Sequence, residues 1–230
     1  MAELDLDIKA GGYLPASFLD WEGHVAAVIF TLGCNFRCPW CHNGELALFR
    51  ADELSISYIL ADIKRRAKFL DGVVISGGEP AVWPGLGRLI DELRAMPLSV
   101  KLDTNGSMPQ VIKRLLAAGA LSHVAMDVKA PFDVRAYERL TRTEVDIDAL
   151  KKSVEIIKAE SPSYEFRTTY VPALHTLSDL QKIQEQLCDD EHWSIQLFKP
   201  NGCLDPAFLD ERAASADDLS KIFKNVKIRG

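Results

Sequence analysis

The segment CNFRCPWC places Cys34, Cys38 and Cys41 within eight positions, with the spacing C-x3-C-x2-C. Thiols clustered this closely bind metal or carry out redox chemistry. A structural zinc site closes with four ligands, and this stretch offers three. His42 follows Cys41 directly, and two adjacent residues have difficulty reaching one tetrahedral ion together. Cys188 sits in the helical pattern QKIQEQLCDD, where a small, partly buried residue is the simpler reading. Cys203 lies in a loop. A cubane of four irons also normally takes four thiolates. With only three, one iron keeps an open position, which a substrate or cofactor can fill. The missing ligand therefore favours catalysis over a structural role.

The elements that must position these thiols alternate along the chain. Apolar, β-branched runs occur at 25–31, 72–76, 98–103, 122–127, 164–171 and 193–198. Helical patterns lie between them: Ser57 to Leu70, about Leu86 to Arg94, Pro109 to Ala118, and a stretch carrying Ile147, Leu150, Val154 and Ile157. A further helix is opened by Ser178-x-x-Gln181, a capping-box pattern, and a last one runs from about Ala214 to Lys224. The tail NVKIRG adds a short strand. The stretch from Ala130 to Val145 carries no assigned element. Six βα units in series imply a parallel sheet with helical crossovers, either a partly open barrel or a doubly wound sheet. One domain over 1–230 is expected, with a short extension to about residue 22 and a barrel from about 23.

In such folds ligands bind at the carboxyl ends of the strands. Each strand here delivers polar or glycine-rich residues to that rim. They are Gly33-Cys34, Gly77-Gly78-Glu79-Pro80, Asp103-Thr104-Asn105-Gly106, Asp127-Val128-Lys129, Arg167-Thr168-Thr169 and Lys199-Pro200-Asn201-Gly202. Taken singly, each is a tight turn, a cap or a surface pair. Six at one edge point to a site lined from all sides.

The bulk properties narrow the classes. The 230 residues are 47% hydrophobic and 26% charged, with a net charge of −6, which argues against a nucleic-acid partner. The basic run Lys64-Arg65-Arg66-Ala67-Lys68 reads as a solvated helix face. No apolar run approaches the length that spans a bilayer, and the opening MAELDLDIKAGG lacks a signal pattern. A cytoplasmic protein without a membrane partner is expected. Five cysteines, an odd number with three clustered, do not form a secreted disulfide framework.

The spacing C-x3-C-x2-C, with Trp40 just before the last cysteine, resembles the radical S-adenosylmethionine (SAM) enzymes, and the later motifs follow in order. The resemblance implies an α/β fold of the partial (β/α)6 barrel type and one 4Fe–4S cluster held by Cys34, Cys38 and Cys41. SAM would chelate the fourth iron and be cleaved to a 5′-deoxyadenosyl radical. Gly77-Gly78-Glu79-Pro80 resembles the family's GGEP motif, with glycines that let backbone approach SAM and Glu79 near its ammonium. Trp40 would pack near the adenine, and the backbone of His42 would read the adenine edge. Asp103, Thr104 and Asp127 resemble positions that hold a monovalent cation beside the SAM carboxylate. Asn105, Lys129 and Arg167 complete the implied SAM contacts.

Longer stretches, among them SFLDWEGHVAAVIFTLGCNFRCPWCHNGEL, DGVVISGGEP, VKLDTNG, AMDVKAP, YEFRTTYVP and LFKPNGCLDP, are similar to activating proteins of anaerobic ribonucleoside-triphosphate reductase. The chain departs from that pattern at Trp21-Glu22, at Ala81-Val82-Trp83 and at Cys203. The resemblance implies that the radical abstracts hydrogen from a glycine Cα of a partner glycyl-radical enzyme, with flavodoxin or ferredoxin as the electron donor. A radical SAM enzyme acting on a small molecule or peptide is the alternative. A non-catalytic metal-binding module is the alternative of another class.

Overall fold

The computed structural model describes residues 8–188 and 191–230. Chain order begins with β1 (Lys9–Ala10), β2 (Gly12–Ser17), β3 (Ala26–Thr31), α1 (Gly44–Ala47), β4 (Leu54–Ser55), α2 (Ile56–Arg66) and β5 (Gly72–Gly77). It continues with α3 (Leu86–Arg94), β6 (Ser99–Thr104), α4 (Pro109–Ala117), β7 (His123–Asp127), α5 (Val134–Thr141), α6 (Ile147–Glu160) and β8 (Tyr164–Tyr170). The last elements are α7 (Leu177–Gln186), β9 (Trp193–Leu197), α8 (Ala216–Ser220) and β10 (Lys227–Arg229). Eight strands form one sheet in the order β10-β9-β8-β7-β6-β5-β3-β2. Every pairing in it is parallel except that of β2 with β3.

The two faces of this sheet differ in chemistry. Ala27, Ile29, Val73, Ile75, Val100, Leu102, Val124, Met126 and Phe166 point outward into the main core, where the apolar faces of α2, α3, α4 and α6 meet them. Their neighbours at period two point the other way. On β3 and β5 these are Ala26, Val28 and Val74, packed with Trp21 in a separate small cluster. On β6 to β10 they are, apart from Ala125, charged or polar: Lys101, Asp103, His123, Glu165, Arg167, Ser194, Gln196, Lys227 and Arg229. All nine line cavities enclosed by the curved sheet. The sheet is thus a partly open barrel with a polar lumen.

The free edges of that barrel are tied by charge. Glu22, in the turn before β3, pairs with Lys227 and with Arg229 (3.3 Å) of β10. Trp21, next to Glu22, is buried against Ala26, Val28 and Val74 and stacks on His24 at 4.3 Å. Lys101 Nζ donates to the Asp20 carbonyl at 2.5 Å and holds this turn under the barrel.

Several expectations are corrected. Helix α2 ends at Arg66; Leu70 packs into the core from the turn beyond it. Helix α7 is capped by Thr176, whose hydroxyl accepts from Asp179 N while the Asp179 carboxylate accepts from Thr176 N. The capping box is therefore Thr176/Asp179, two residues earlier than Ser178/Gln181. The stretch 130–145 contains α5, started by Asp133, whose side chain accepts from Ala136 N. The last helix covers only Ala216–Ser220. Cys188 is exposed just beyond α7, at φ +57°, and is not partly buried. The two aspartates that end QKIQEQLCDD lie outside the described residues. Residues 12–17, in the stretch read as an extension, supply the antiparallel edge strand β2.

Candidate functional site

At the carboxyl ends of the strands lies a cavity of about 490 Å³. Cys34, Cys38, Trp40, Cys41, His42, Gly77, Gly78, Glu79, Asp103, Thr104, Asn105, Asp127, Lys129 and Arg167 all line it. These are the residues to which the resemblance gave roles, and the sheet topology brings them to one rim. Of the other rim loops Thr169 and Lys199 also line the cavity, whereas Pro200, Asn201 and Gly202 do not. Thr168 is buried on the other face, bonded to Val128 O and Trp193.

The cysteine loop is fixed from three sides. Arg37 donates from its guanidinium to the carbonyls of Cys34 and Phe36 (2.8 Å) and from its backbone to Thr141 O at 2.8 Å. Leu204 N and Asp205 N donate to Cys41 O and Pro39 O, both at 2.9 Å. The Asn43 amide donates to Gly77 O at 3.1 Å. The His42 ring lies 2.9 Å from Lys199 O and stacks on Phe198. Cys203 therefore sits beside the loop, held through its neighbour Leu204, and outside the cavity lining.

The thiols form no disulfide. Burial pushes the Cys34 thiol up to about 11 and that of Cys38 to about 12, and raises Cys41 as well. Buried thiolates of this kind need positive charge to persist. Among the described residues, no three His, Cys, Asp or Glu side chains are grouped to hold a single metal ion. The fit to an iron–sulfur cluster rests on the donors themselves: three soft thiols on one wall, with N–H donors aimed at Cys34 Sγ. Those donors are Phe36 N at 3.3 Å and Asn105 Nδ2 at 4.0 Å.

Opposite the cysteines the GGEP turn packs against the start of their loop. Gly78 N donates to Thr31 O at 3.0 Å and Glu79 N to Gly33 O at 2.8 Å. A Cβ on Gly78 would lie 2.0 Å from Gly33 O, and Gly77 has φ +116°. The glycines are thus required by protein packing as well as by any ligand. Glu79 is 1% exposed. Its Oε1 accepts from Thr104 Oγ1 at 2.7 Å and Ala81 N at 3.0 Å, and its Oε2 from Asn105 N at 2.5 Å. Burial raises its pKa to about 7 against the pull of these donors.

The third wall is ionic. Arg167 Nε donates to Asp127 Oδ1 at 2.9 Å, and its Nη1 lies 3.4 Å from Asp103 Oδ1. Lys129 Nζ lies 3.4 Å from Asp127. Burial opposes charge on both Asp127 and Lys129. The Arg167 charge nevertheless lowers the Asp127 pKa, and Asp127 raises that of Lys129. The Lys129 backbone is held by two residues that no motif revealed. Its N–H donates to the Tyr137 hydroxyl at 3.1 Å, and its carbonyl lies 2.8 Å from His175 Nε2. His175 Nδ1 accepts from Val171 N, so Nε2 carries the proton and donates. Tyr137 comes from α5 and His175 from the turn before α7, and only tertiary structure brings these buried side chains to Lys129.

Three comparisons bear on this arrangement. The chain is 31% identical over 221 residues to a Methanocaldococcus jannaschii protein named provisionally as a glycyl-radical enzyme activating enzyme, covering 94% of this chain and 90% of that protein. It is 35% identical over 77 residues to the 7-carboxy-7-deazaguanine synthase of Aquifex aeolicus, covering 33% of this chain and 34% of the other. A radical SAM methyltransferase from Sphaerobacter thermophilus superposes with a TM-score of 0.66 at 12% identity. SuiB of Streptococcus suis superposes with a TM-score of 0.64 at 13%. These two cover 90% and 87% of this chain, which spans 66% and 47% of theirs, and at such identity they show the fold alone. The family model of the radical SAM superfamily matches residues 28–187, and with the three-cysteine loop facing GGEP across one cavity, the chain belongs to that superfamily.

Proposed function

We propose that this radical SAM enzyme generates a glycyl radical on a partner enzyme, with an anaerobic ribonucleotide reductase as the first candidate. The observation that carries the reading is similarity to the M. jannaschii protein along nearly the whole chain, beyond the core that all family members share. The 4Fe–4S cluster and SAM that the family uses supply, when bound, reductive cleavage of SAM to a 5′-deoxyadenosyl radical.

The residues of this chain then have definite work. Cys34, Cys38 and Cys41 hold the cluster. Glu79, ionised above about pH 7, faces the SAM ammonium. Gly77 and Gly78 keep the turn close to the cofactor. Trp40 and the His42 backbone flank the adenine. Lys129 and Arg167 offer cationic donors to the SAM carboxylate. Asp103, Thr104 and Asp127 stand where a monovalent cation would sit. Asp103 Oδ1 makes no hydrogen bond, but Lys101 Nζ and Arg167 Nη1 each lie 3.4 Å from it, so a cation there would compete with two charges of the chain. The hydrogen atom removed would come from a glycine Cα of the partner, which would keep the radical. A flavodoxin or ferredoxin supplies the electron.

A second reading, a radical SAM enzyme acting on a small molecule, has support from the deazaguanine synthase similarity, which covers about a third of the chain. The experiment is anaerobic. The protein is reconstituted with iron and sulfide, reduced, mixed with SAM and with candidate glycyl-radical enzymes, and assayed for 5′-deoxyadenosine and a glycyl-radical EPR signal. Both are expected, and both are expected to vanish in Cys38→Ala. Deoxyadenosine without a radical on any candidate partner, together with turnover of a deazapurine precursor, would replace the activase reading.

A further inference from the structure

The side chain of Asn105 is locked against the cysteine loop. Its Nδ2 donates to Asn35 Oδ1 at 2.9 Å and to Cys34 Sγ at 4.0 Å. Its Oδ1 accepts from Ser107 N at 2.9 Å, and its own backbone N–H is held by Glu79. Turning the amide over would set oxygen against the Asn35 oxygen and N–H₂ against the Ser107 N–H. The partners therefore fix which end faces the sulfur. Asn105 is 4% exposed, so water does not compete for that contact. Among the described residues, no other side chain donates to a sulfur of the three cluster cysteines.

A donor on a thiolate helps most when the sulfur carries most negative charge. Reduction of a cluster adds an electron that is partly carried by its sulfurs. A hydrogen bond to a ligand sulfur therefore favours the reduced form and raises the reduction potential. We propose that Asn105 is a positioning residue that raises the reduction potential of the cluster through its amide on Cys34, easing electron delivery from a weak donor. The inference rests on the three-cysteine cluster alone. It holds whichever molecule the radical attacks.

The test is an EPR-monitored redox titration of three reconstituted proteins: the native chain, Asn105→Leu and Asn35→Ala. Leucine matches asparagine in size, carries no charge and keeps water out. Asn35→Ala removes the other acceptor of the amide and loosens the same loop, while Ser107 N still holds Asn105 Oδ1 and so keeps Nδ2 turned to the sulfur. The midpoint is expected to move to more negative potential in Asn105→Leu and to stay near the native value in Asn35→Ala. An unmoved midpoint in Asn105→Leu, or an equal shift in Asn35→Ala, would overturn the inference. Should Asn105→Leu fail to retain iron, the contact is read in the native protein instead. With ¹⁵N-labelled asparagine, ENDOR of the reduced cluster is expected to show side-chain ¹⁵N and an exchangeable proton coupled to the spin. No such coupling would equally sink the proposal. Deoxyadenosine formation plays no part in either readout.

Discussion

Arg167 on β8 and Asp127 on β7 are direct register partners, and the guanidinium Nε donates to the carboxylate at 2.9 Å. The same guanidinium lies 3.4 Å from Asp103 and 3.8 Å from Glu165. Arg167 thus faces three carboxylates on the lumen face of adjacent strands and shares them with Lys101, Lys129 and Arg229, which is how the barrel interior tolerates so much charge. Removing one partner of a buried ion pair typically costs about 3–5 kcal/mol, because the other charge is left unpaired.

Lys101, Lys129 and Arg229 still face these carboxylates without Arg167, so Arg167→Ala should cost less than a fully unpaired charge would, roughly 2 kcal/mol. The exposed carboxylates should also acquire affinity for inorganic cations. Thermal melts of the variant in potassium or calcium chloride should lie above those in choline chloride at equal ionic strength, by more than in the native chain. Equal responses in the two proteins would mean that Arg167 does not occupy the electrostatic position of a metal ion.

Glu79 joins two loops that the sequence shows only as separate motifs. Its carboxylate binds the turn after β5 to the turn after β6 through Thr104 and Asn105. Its pKa near 7 gives a pH signature. Below that value the buried carboxyl is protonated and offers no charge to an ammonium; above it the charge is present. SAM affinity of the reconstituted protein, measured by isothermal titration, should rise roughly tenfold from one pH unit below to one unit above that pKa, following the ionised fraction. In Glu79→Gln the rise should disappear. A native affinity independent of pH over this range would remove Glu79 from contact with the ammonium.

Much of this layout was legible because buried parallel strands are continuous apolar runs. Strands β3 and β5 to β9 begin and end within one residue of their runs in the sequence. Strand β2, GYLPAS, was not legible: it is an edge strand with Pro15 inside it and three exposed residues in succession. Helix α5 escaped because it is short and ends on Arg142 in the left-handed region, where glycine is the usual signal. At the site, the motifs gave the rim positions, since strand ends in this topology must share one face. They could not show which rim residues bind each other. Nor could they show Tyr137 and His175, whose contacts with Lys129 arise from segments that only the folded chain brings together.

His123 on β7 tests the lower lumen. Burial, aided by the charge of Lys101, lowers its pKa to about 4 from 6.5. A depressed folded pKa gives stability that is present above 6.5 and is lost as pH falls toward 4. The ring is only partly buried, so screening reduces the effect to about 1 kcal/mol. Denaturant midpoints of the native chain should therefore fall from pH 6.5 to pH 4 more steeply than those of His123→Gln. Parallel curves would show that His123 titrates as it does in the unfolded chain.

Gly78 offers the sharpest steric test. A Cβ there would meet Gly33 O at 2.0 Å and Gly33 C at 2.6 Å, both backbone atoms of the segment leading into Cys34. No rotamer change can relieve a backbone contact, so either the GGEP turn or the cysteine loop must move. Moving the turn breaks the bond from Glu79 N to Gly33 O and displaces the carboxylate that holds Asn105. Gly78→Ala should thus lose about 1–3 kcal/mol of stability, in the range of overpacked sites, and should retain less iron after reconstitution. A Cβ on Gly87, in α3, would meet no atom within 4 Å, so this position serves as the control. Gly87→Ala should gain up to about 1 kcal/mol from helix propensity and keep full iron content. Equal iron retention in the two variants would show that the close approach of Gly78 to Gly33 does not set the geometry of the cysteine loop.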